Sequence, residues 1–311
     1  MTTLQITHDA FLNHDTGEWH PERSERMKAI EQALSSAKFQ NLITVEAPFA
    51  SPEQIARVHP RAYIDMLERK QPKRELIPLD EGDTIVSPGS WEAALRAVGA
   101  AIYAVDEVMQ GHANNAFCRI RPPGHHAEIA KVMGFCLFNN AAVAAFHAQE
   151  VYGAERVAVV DFDVHHGNGT QAIFWSQPSM MYASTHQMPL FPGTGSIMER
   201  GETGNIVNAP LRAGDGSMEF REAFESVILP ALRRHAPDLL IISAGFDAHR
   251  SDPIGNLNLS EEDYAWVTQK LIDVARERCG GRVVSVLEGG YDLAALGRSV
   301  AAHVQTLLEA Y

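Results

Sequence analysis

The stretch VAVVDFDVHHGNGT, residues 157–170, changes character halfway. An apolar run rich in β-branched valine gives way at Asp161 to acids, imidazoles and glycines. A continuous apolar run, rather than an alternating one, predicts a strand covered on both faces, here Val157 to Phe162. Similar runs predict strands at Asn115 to Ile120, Met180 to Ser184, Leu239 to Ser243 and Val283 to Leu287. Helical patterns lie between them. Ser87-Pro88 suits an N-cap and first-turn pair; Trp91, Leu95, Val98, Ile102, Val105 and Met109 then recur at helical spacing up to Gly111. Ser260 with Asp263 resembles a capping box for a helix carrying Val267, Leu271 and Val274, stopped by Gly280-Gly281. This alternation predicts an α/β fold: a single open, mostly parallel β-sheet with helices on both faces, one domain spanning 1–311.

The composition excludes several classes of function. The net charge is −13, with no cluster of Lys and Arg, so no basic face exists to displace counterions from nucleic acid. An acidic surface favours cationic substrates only mildly, since charge also serves solubility. No stretch approaches the roughly 18 apolar residues of a spanning helix, so no membrane partner is expected. The start, Met1 to Thr7, lacks the basic and apolar regions of a secretory leader. Cys118, Cys136 and Cys279 are far apart and form no CxxC pair. They read as reduced thiols in a cytoplasmic protein, and a Cys-type zinc site is not supported.

In a parallel sheet, ligands bind beyond the carboxyl ends of the strands. Three polar clusters sit just past predicted strands: DFDVHH (161–166), GFD (245–247) and EGGY (288–291). Strand alternation would send Asp161, Asp163 and His165 to one side, with a turn at Gly167-Asn168-Gly169 folding the backbone around whatever they hold. Grouped carboxylates and imidazoles are costly without a cation, although an acid pair capped by His in a hydrogen-bonded turn would also read this way. Asp247 can add a second carboxylate; two Asp oxygens and one His nitrogen leave an open position for water. In RPPGHH (121–126), His125 and His126 follow a rigid turn. Adjacent imidazoles beside an acidic cluster suggest proton transfer, though single histidines are usually structural. After Gly289-Gly290, Tyr291 could swing into a cleft and hydrogen-bond a developing oxyanion, or simply pack.

Together the segments RPPGHH (121–126), GFCLFNN (134–140), DFDVHHGNGT (161–170), FPGTG (191–195), GFDAHRSDP (245–253) and LEGGY (287–291) resemble the histone deacetylase family, within the arginase–deacetylase fold. TGEWHPERSERMKAI (16–30) extends the likeness toward the N-terminus. LEGGY in place of an all-glycine version, and Asn168 in place of Asp, are similar to the class II branch and its bacterial relatives. The resemblance implies a metal-dependent deacetylase acting on acetyl-lysine or a similar slender acyl-amine. It makes Asp163, His165 and Asp247 the ligands of a catalytic metal, usually zinc; one imidazole and two carboxylates suit iron(II) too. It makes His126, oriented by Asn168, the general base and acid, His125 with Asp161 its electrostatic partner, and Tyr291 the oxyanion donor. Gly134, Phe135 and Phe191 match the lining of a narrow acyl tunnel. Ser184, with Asp161 and the carbonyls of Asp163, His165 and Thr185, matches a structural potassium site.

Three rival readings frame the expectation. An acetylpolyamine amidohydrolase would place an acid at the pocket mouth, where the position resembling such a gatekeeper is the aliphatic Ile254. A two-metal ureohydrolase would need a second set of bridging ligands, and RPPGHH brings no carboxylate suited to it. A non-catalytic binding protein would not need every chemical position intact. The pattern leaves oligomeric state open.

Overall fold

A computed structural model describes residues 2–310; Met1 and Tyr311, the outermost positions of the expected 1–311 domain, lie outside the described residues. The described residues form ten strands: β1 Thr3–Thr7, β2 Leu42–Glu46, β3 Ile77–Pro78, β4 Ile85–Val86, β5 Asn115–Cys118, β6 Val157–Asp161, β7 Met180–Gln187, β8 Ile206–Leu211, β9 Leu239–Ala244 and β10 Val283–Leu287. Eight form one sheet in the order β2-β1-β5-β10-β9-β6-β7-β8, and every pairing in it is parallel. β3 and β4 make a separate antiparallel ribbon.

The continuous apolar runs account for the centre of the sheet. Every residue of β5, β6, β9 and β10 is buried. Helix Ser90–Met109 packs on Asn140–Tyr152, and Leu293–Glu309 packs between Glu25–Leu34 and Glu261–Cys279, so both faces are covered. The three cysteines are buried free thiols.

Two local expectations are corrected. The long helix starts at Ser90 with Gly89 as its N-cap, rather than at Ser87-Pro88. The Ser87 hydroxyl is taken by the amide of Asp15 at 2.8 Å, a tertiary contact that overrides the cap. The edge strands β2 and β8, and β1 next to β2, carry no continuous apolar run, so the sequence reading does not include them.

The order of the sheet positions the site. β5, β10, β9 and β6 are consecutive neighbours, so RPPGHH, EGGY, GFD and DFDVHH leave four adjacent strands at the same edge.

Candidate active site and metal centre

The predicted pleat does not carry the acidic loop, because β6 ends at Asp161. A chain of side-chain-to-backbone hydrogen bonds replaces it. Asp161 Oδ1 accepts the amide of Asp163 (3.1 Å), Asp163 Oδ1 that of His165 (2.9 Å), and Asp247 Oδ1 that of Val164 (2.8 Å). These bonds turn Asp163 and His165 toward Asp247. His165 Nδ1 lies 3.1 Å from Asp163 Oδ1 and 3.1 Å from Asp247 Oδ2, and the three side chains offer ligand atoms within 4.8 Å of one another. Glycine is required around them. A Cβ on Gly245 would run into the Asp163 carboxylate, and one on Gly289 into those of Asp247 and Asp163.

All three side chains are buried. Burial, with the neighbouring Asp163 charge, pushes the Asp247 carboxyl up to about 7. Burial opposes charge on His165, but the hydrogen bonds it donates to Asp163 and Asp247 outweigh it and raise the imidazole to about 10. Desolvated acids this close require positive charge among them. Two carboxylate oxygens and one imidazole nitrogen are a donor set that fits a divalent cation.

The His125 and His126 ring centroids are 4.0 Å apart. His125 Nδ1 lies 3.0 Å from Asp161 Oδ2, which also accepts the Tyr182 hydroxyl at 3.0 Å. Burial would depress His125, yet the Asp163 and Asp161 charges prevail and raise it to about 10. His126 goes the other way: burial, then the charges of His125 and His165, hold it well below the ordinary imidazole value. Its Nδ1 is 2.8 Å from Asn168 Oδ1. The Asn168 amide nitrogen donates to Glu128 at 2.9 Å, so its oxygen faces the ring. Neutral His126 therefore carries its proton on Nδ1 and leaves Nε2 as an acceptor.

Gly167-Asn168-Gly169 is not a turn, as the sequence suggested, but the start of helix Asn168–Phe174. Glycine serves close approach here. A Cβ on Gly167 would sit 2.5 Å from both Asp161 Oδ2 and the Tyr182 hydroxyl.

Tyr291 reaches into a cavity, as the sequence suggests, with its backbone tied by hydrogen bonds. Its amide donates to Asp252 Oδ2 at 2.7 Å. Arg26 donates to the carbonyls of Glu288 (2.6 Å) and Gly290 (2.7 Å), with its guanidinium 5.0 Å from the Tyr291 ring centroid. The phenol lines a cavity of about 210 Å³ together with His125, His126 and His165. Gly134, Phe135, Phe191 and Ile254 line the same cavity. Phe191 stands edge-on to His126 with centroids 5.1 Å apart, and Phe135 edge-on to Tyr291 at 6.1 Å. Phe135 has φ +71°, a strained left-handed conformation for an aromatic residue, and so marks a position held by its surroundings.

Asp161 and Asn168 lie behind the imidazoles. Ser184 and Thr185 are on β7, away from the cavity; Ser184 is the register neighbour of Asp161, and its hydroxyl lies 2.9 Å from His186 Nδ1. Sequence reasoning gave no role to four supporting side chains. Glu288 accepts the amides of Gly124 (2.7 Å) and His125 (3.2 Å), fixing the RPPGHH turn. Glu22, fully buried, accepts from Arg26 and Arg121. Asp252 holds Tyr291. Asp83, exposed, lines the cavity. Glu288 and Asp252 lie inside the quoted motifs; Asp83 has no local signal.

The family described as Histone deacetylase domain matches residues 20–307. Histone deacetylase 14, chloroplastic, of Arabidopsis thaliana is 41% identical over 318 residues, covering 96% of this chain and 75% of that protein. The histone deacetylase-like amidohydrolase of Pseudomonas aeruginosa is 40% identical over 281 residues, covering 87% of this chain and 71% of that protein. The crystal structure of the HDA15 HD domain superposes with a TM-score of 0.93 at 36% identity, covering 99% of this chain and 88% of that one. Motifs, sheet order and a family match running from His20 to Leu307 agree: this chain belongs to the histone deacetylase family.

Proposed function

We propose that the chain is a metal-dependent deacetylase that hydrolyses the amide of acetyl-lysine or a similar slender acyl-amine, releasing acetate and a free amine. One observation carries the reading. A single narrow cavity brings the His125–His126 pair, the Tyr291 phenol and His165 of the Asp163–His165–Asp247 cluster onto the same small volume. At about 210 Å³ it is smaller than the ~300–1,000 Å³ usual for small-molecule pockets, which suits an unbranched chain.

Held by Asp163, His165 and Asp247, Zn²⁺ or Fe²⁺ would supply a Lewis acid for the acyl carbonyl and a water acidified enough to attack it. The protein's own groups divide the remaining work. His126 Nε2 is unprotonated and takes the proton of the attacking water, then returns it to the leaving amine nitrogen. His125, kept cationic by Asp163 and Asp161, holds positive charge beside that transfer. The Tyr291 hydroxyl donates to the oxygen as it gains charge. Phe135 and Phe191 exclude water from the acyl chain. A structural K⁺ at Asp161, Ser184 and the carbonyls of Asp163, His165 and Thr185 is part of the proposal. The Ser184 hydroxyl can donate to His186 and still turn lone pairs toward a cation. Buried thiols suit the cytoplasm as the working compartment.

The test is a substrate panel with protein reconstituted with zinc or iron. Turnover of an acetyl-lysine peptide by the metal-loaded protein, lost on chelation, is expected; failure on every acyl-amine tested would refute the reading.

Asp83 favours a second reading. Its exposed carboxylate at the cavity supplies the acid that Ile254 does not, so an acetylpolyamine remains a competing substrate. Under that reading acetylputrescine outperforms the peptide in kcat/KM, and Asp83→Asn removes the advantage.

A further inference from the structure

Asp252 is a buried acid outside the lining of the 210 Å³ cavity, yet its carboxylate joins two loops that line it. Oδ2 accepts the amides of Tyr291 (2.7 Å) and Asp292 (3.2 Å), while Oδ1 accepts the amide of Ile254 (3.2 Å). Tyr291 and Ile254 both line the cavity, and they come from the segments that follow β10 and β9. The Gly290–Tyr291 peptide unit is held at both its polar ends, because Arg26 donates to the Gly290 carbonyl at 2.7 Å. Asp292 then caps helix Leu293–Glu309 by accepting the amide of Ala295 at 2.7 Å. Tyr291 thus sits between a glycine at φ +123° and the first turn of a long helix, and a carboxylate from another loop sets its height in the cavity.

We propose that Asp252 is a positioning residue for deacetylation: it staples the Tyr291 and Ile254 loops so that the phenol meets the acyl oxygen at hydrogen-bonding distance. The proposal rests on the role given above to Tyr291. Oxyanion donors act over about 2.7–3.1 Å, so an untethered loop forfeits most of the donor's effect. A carboxylate is needed because three amides are gathered from two sides. The single amide oxygen of Asn can serve only one side, and Ala serves neither.

The experiment is a double-mutant cycle on the metal-loaded, full-length protein with Asp252→Asn, Asp252→Ala, Tyr291→Phe and the double variants. Metal stoichiometry and thermal unfolding are measured for each. Asp252→Asn is expected to lower kcat about tenfold and Asp252→Ala further, with KM changed less than threefold and one metal retained. In the Tyr291→Phe background, the Asp252 substitutions should cost less than about twofold, since no hydroxyl is left to position. A loss of the same size in both backgrounds would overturn the proposal, as would full activity of Asp252→Ala. A ¹⁹F label, 3-fluorotyrosine at position 291, gives a readout independent of turnover. Its resonance should shift or broaden in Asp252→Asn, and an unchanged resonance also overturns the tether. Full activity of Tyr291→Phe would instead remove the proposed donor, while the fluorine signal would still report whether Asp252 holds the loop.

Discussion

Tyr291 and His126 face one cavity, and their surroundings prepare them for opposite duties. The phenol is held well above its ordinary pKa by burial, so it keeps its proton and stays able to donate. The imidazole is held well below its own by burial and by His125, so it starts without its second proton. Replacing Tyr291 by Phe should lower turnover by about two orders of magnitude with metal content unchanged, the scale of one lost oxyanion donor. Normal turnover of that variant on an acetyl-lysine peptide would sink the role. Asn168 does its work on the tautomer. Asn168→Ala removes the acceptor that keeps the His126 proton on Nδ1, and should reduce kcat about tenfold or more while KM stays near its original value. An unaltered kcat would show that the tautomer is fixed elsewhere.

At the scale of strands and loops, the metal-ligand cluster depends on two glycines as much as on the ligands. Gly245 follows β9 and Gly289 follows β10, and each lets backbone approach the Asp163 carboxylate where a Cβ would collide. Gly245→Ala should displace Asp163, lowering metal affinity by about tenfold or more on the scale of disturbed ligand support. Equilibrium dialysis against zinc checks it, and an unchanged dissociation constant would mean that the loop can yield. The central strands and the motifs after them were legible because a buried parallel strand reads as unbroken hydrophobicity and its end as abrupt polarity. The two edges and the strand beside one of them were not. β1, inside β2, is TLQIT and β2 is LITVE, polar at alternate places, and β8 contains Pro210, which argues against a central strand. The convergence of Asp163 and His165 was anticipated with the wrong cause, a pleat instead of a hydrogen-bonded turn. Glu22 lies in the quoted stretch 16–30, but its role, like that of Asp83, comes only from what folds against it.

Across the whole molecule, charge burial sets how the fold responds to pH and to mutation. Glu22 lies between Arg26 and Arg121; burial opposes its charge, but the Arg121 guanidinium prevails and holds its carboxyl well below the usual carboxylate range. Glu22→Leu would leave two buried guanidiniums without their shared anion, at a cost of about 3–5 kcal/mol in urea unfolding. A loss below about 1 kcal/mol would show that they find other partners. His303 is a buried base of the opposite kind, bonded to the Thr268 hydroxyl (2.6 Å) and the Ser285 hydroxyl (2.8 Å), and burial lowers it to about 3. Folded protein keeps it neutral while unfolded chain protonates it below pH 6.5. Its contribution to stability is therefore complete above that pH and drains away as pH falls toward about 3, by up to about 1.4 kcal/mol per pH unit. His303→Gln should flatten the acid limb of a stability–pH curve by that amount, and an identical limb would place the titrating group elsewhere.

The strand order has a consequence for synthesis. Along the chain the four site-bearing strands are made as β5, β6, β9 and β10, but in space they stand as β5, β10, β9 and β6. The last two enter between the first two. While a ribosome is still making residues 239–287, the two earlier strands have no permanent neighbour on their facing edges, and Asp163 has neither Asp247 nor Gly289 beside it. An N-terminal fragment ending before Leu239 lacks Asp247 and Tyr291, so it completes neither the ligand cluster nor the cavity. The nascent chain must keep an open gap at the middle of its sheet, exposed to chaperones and to other chains, until the strands that complete the site arrive to fill it.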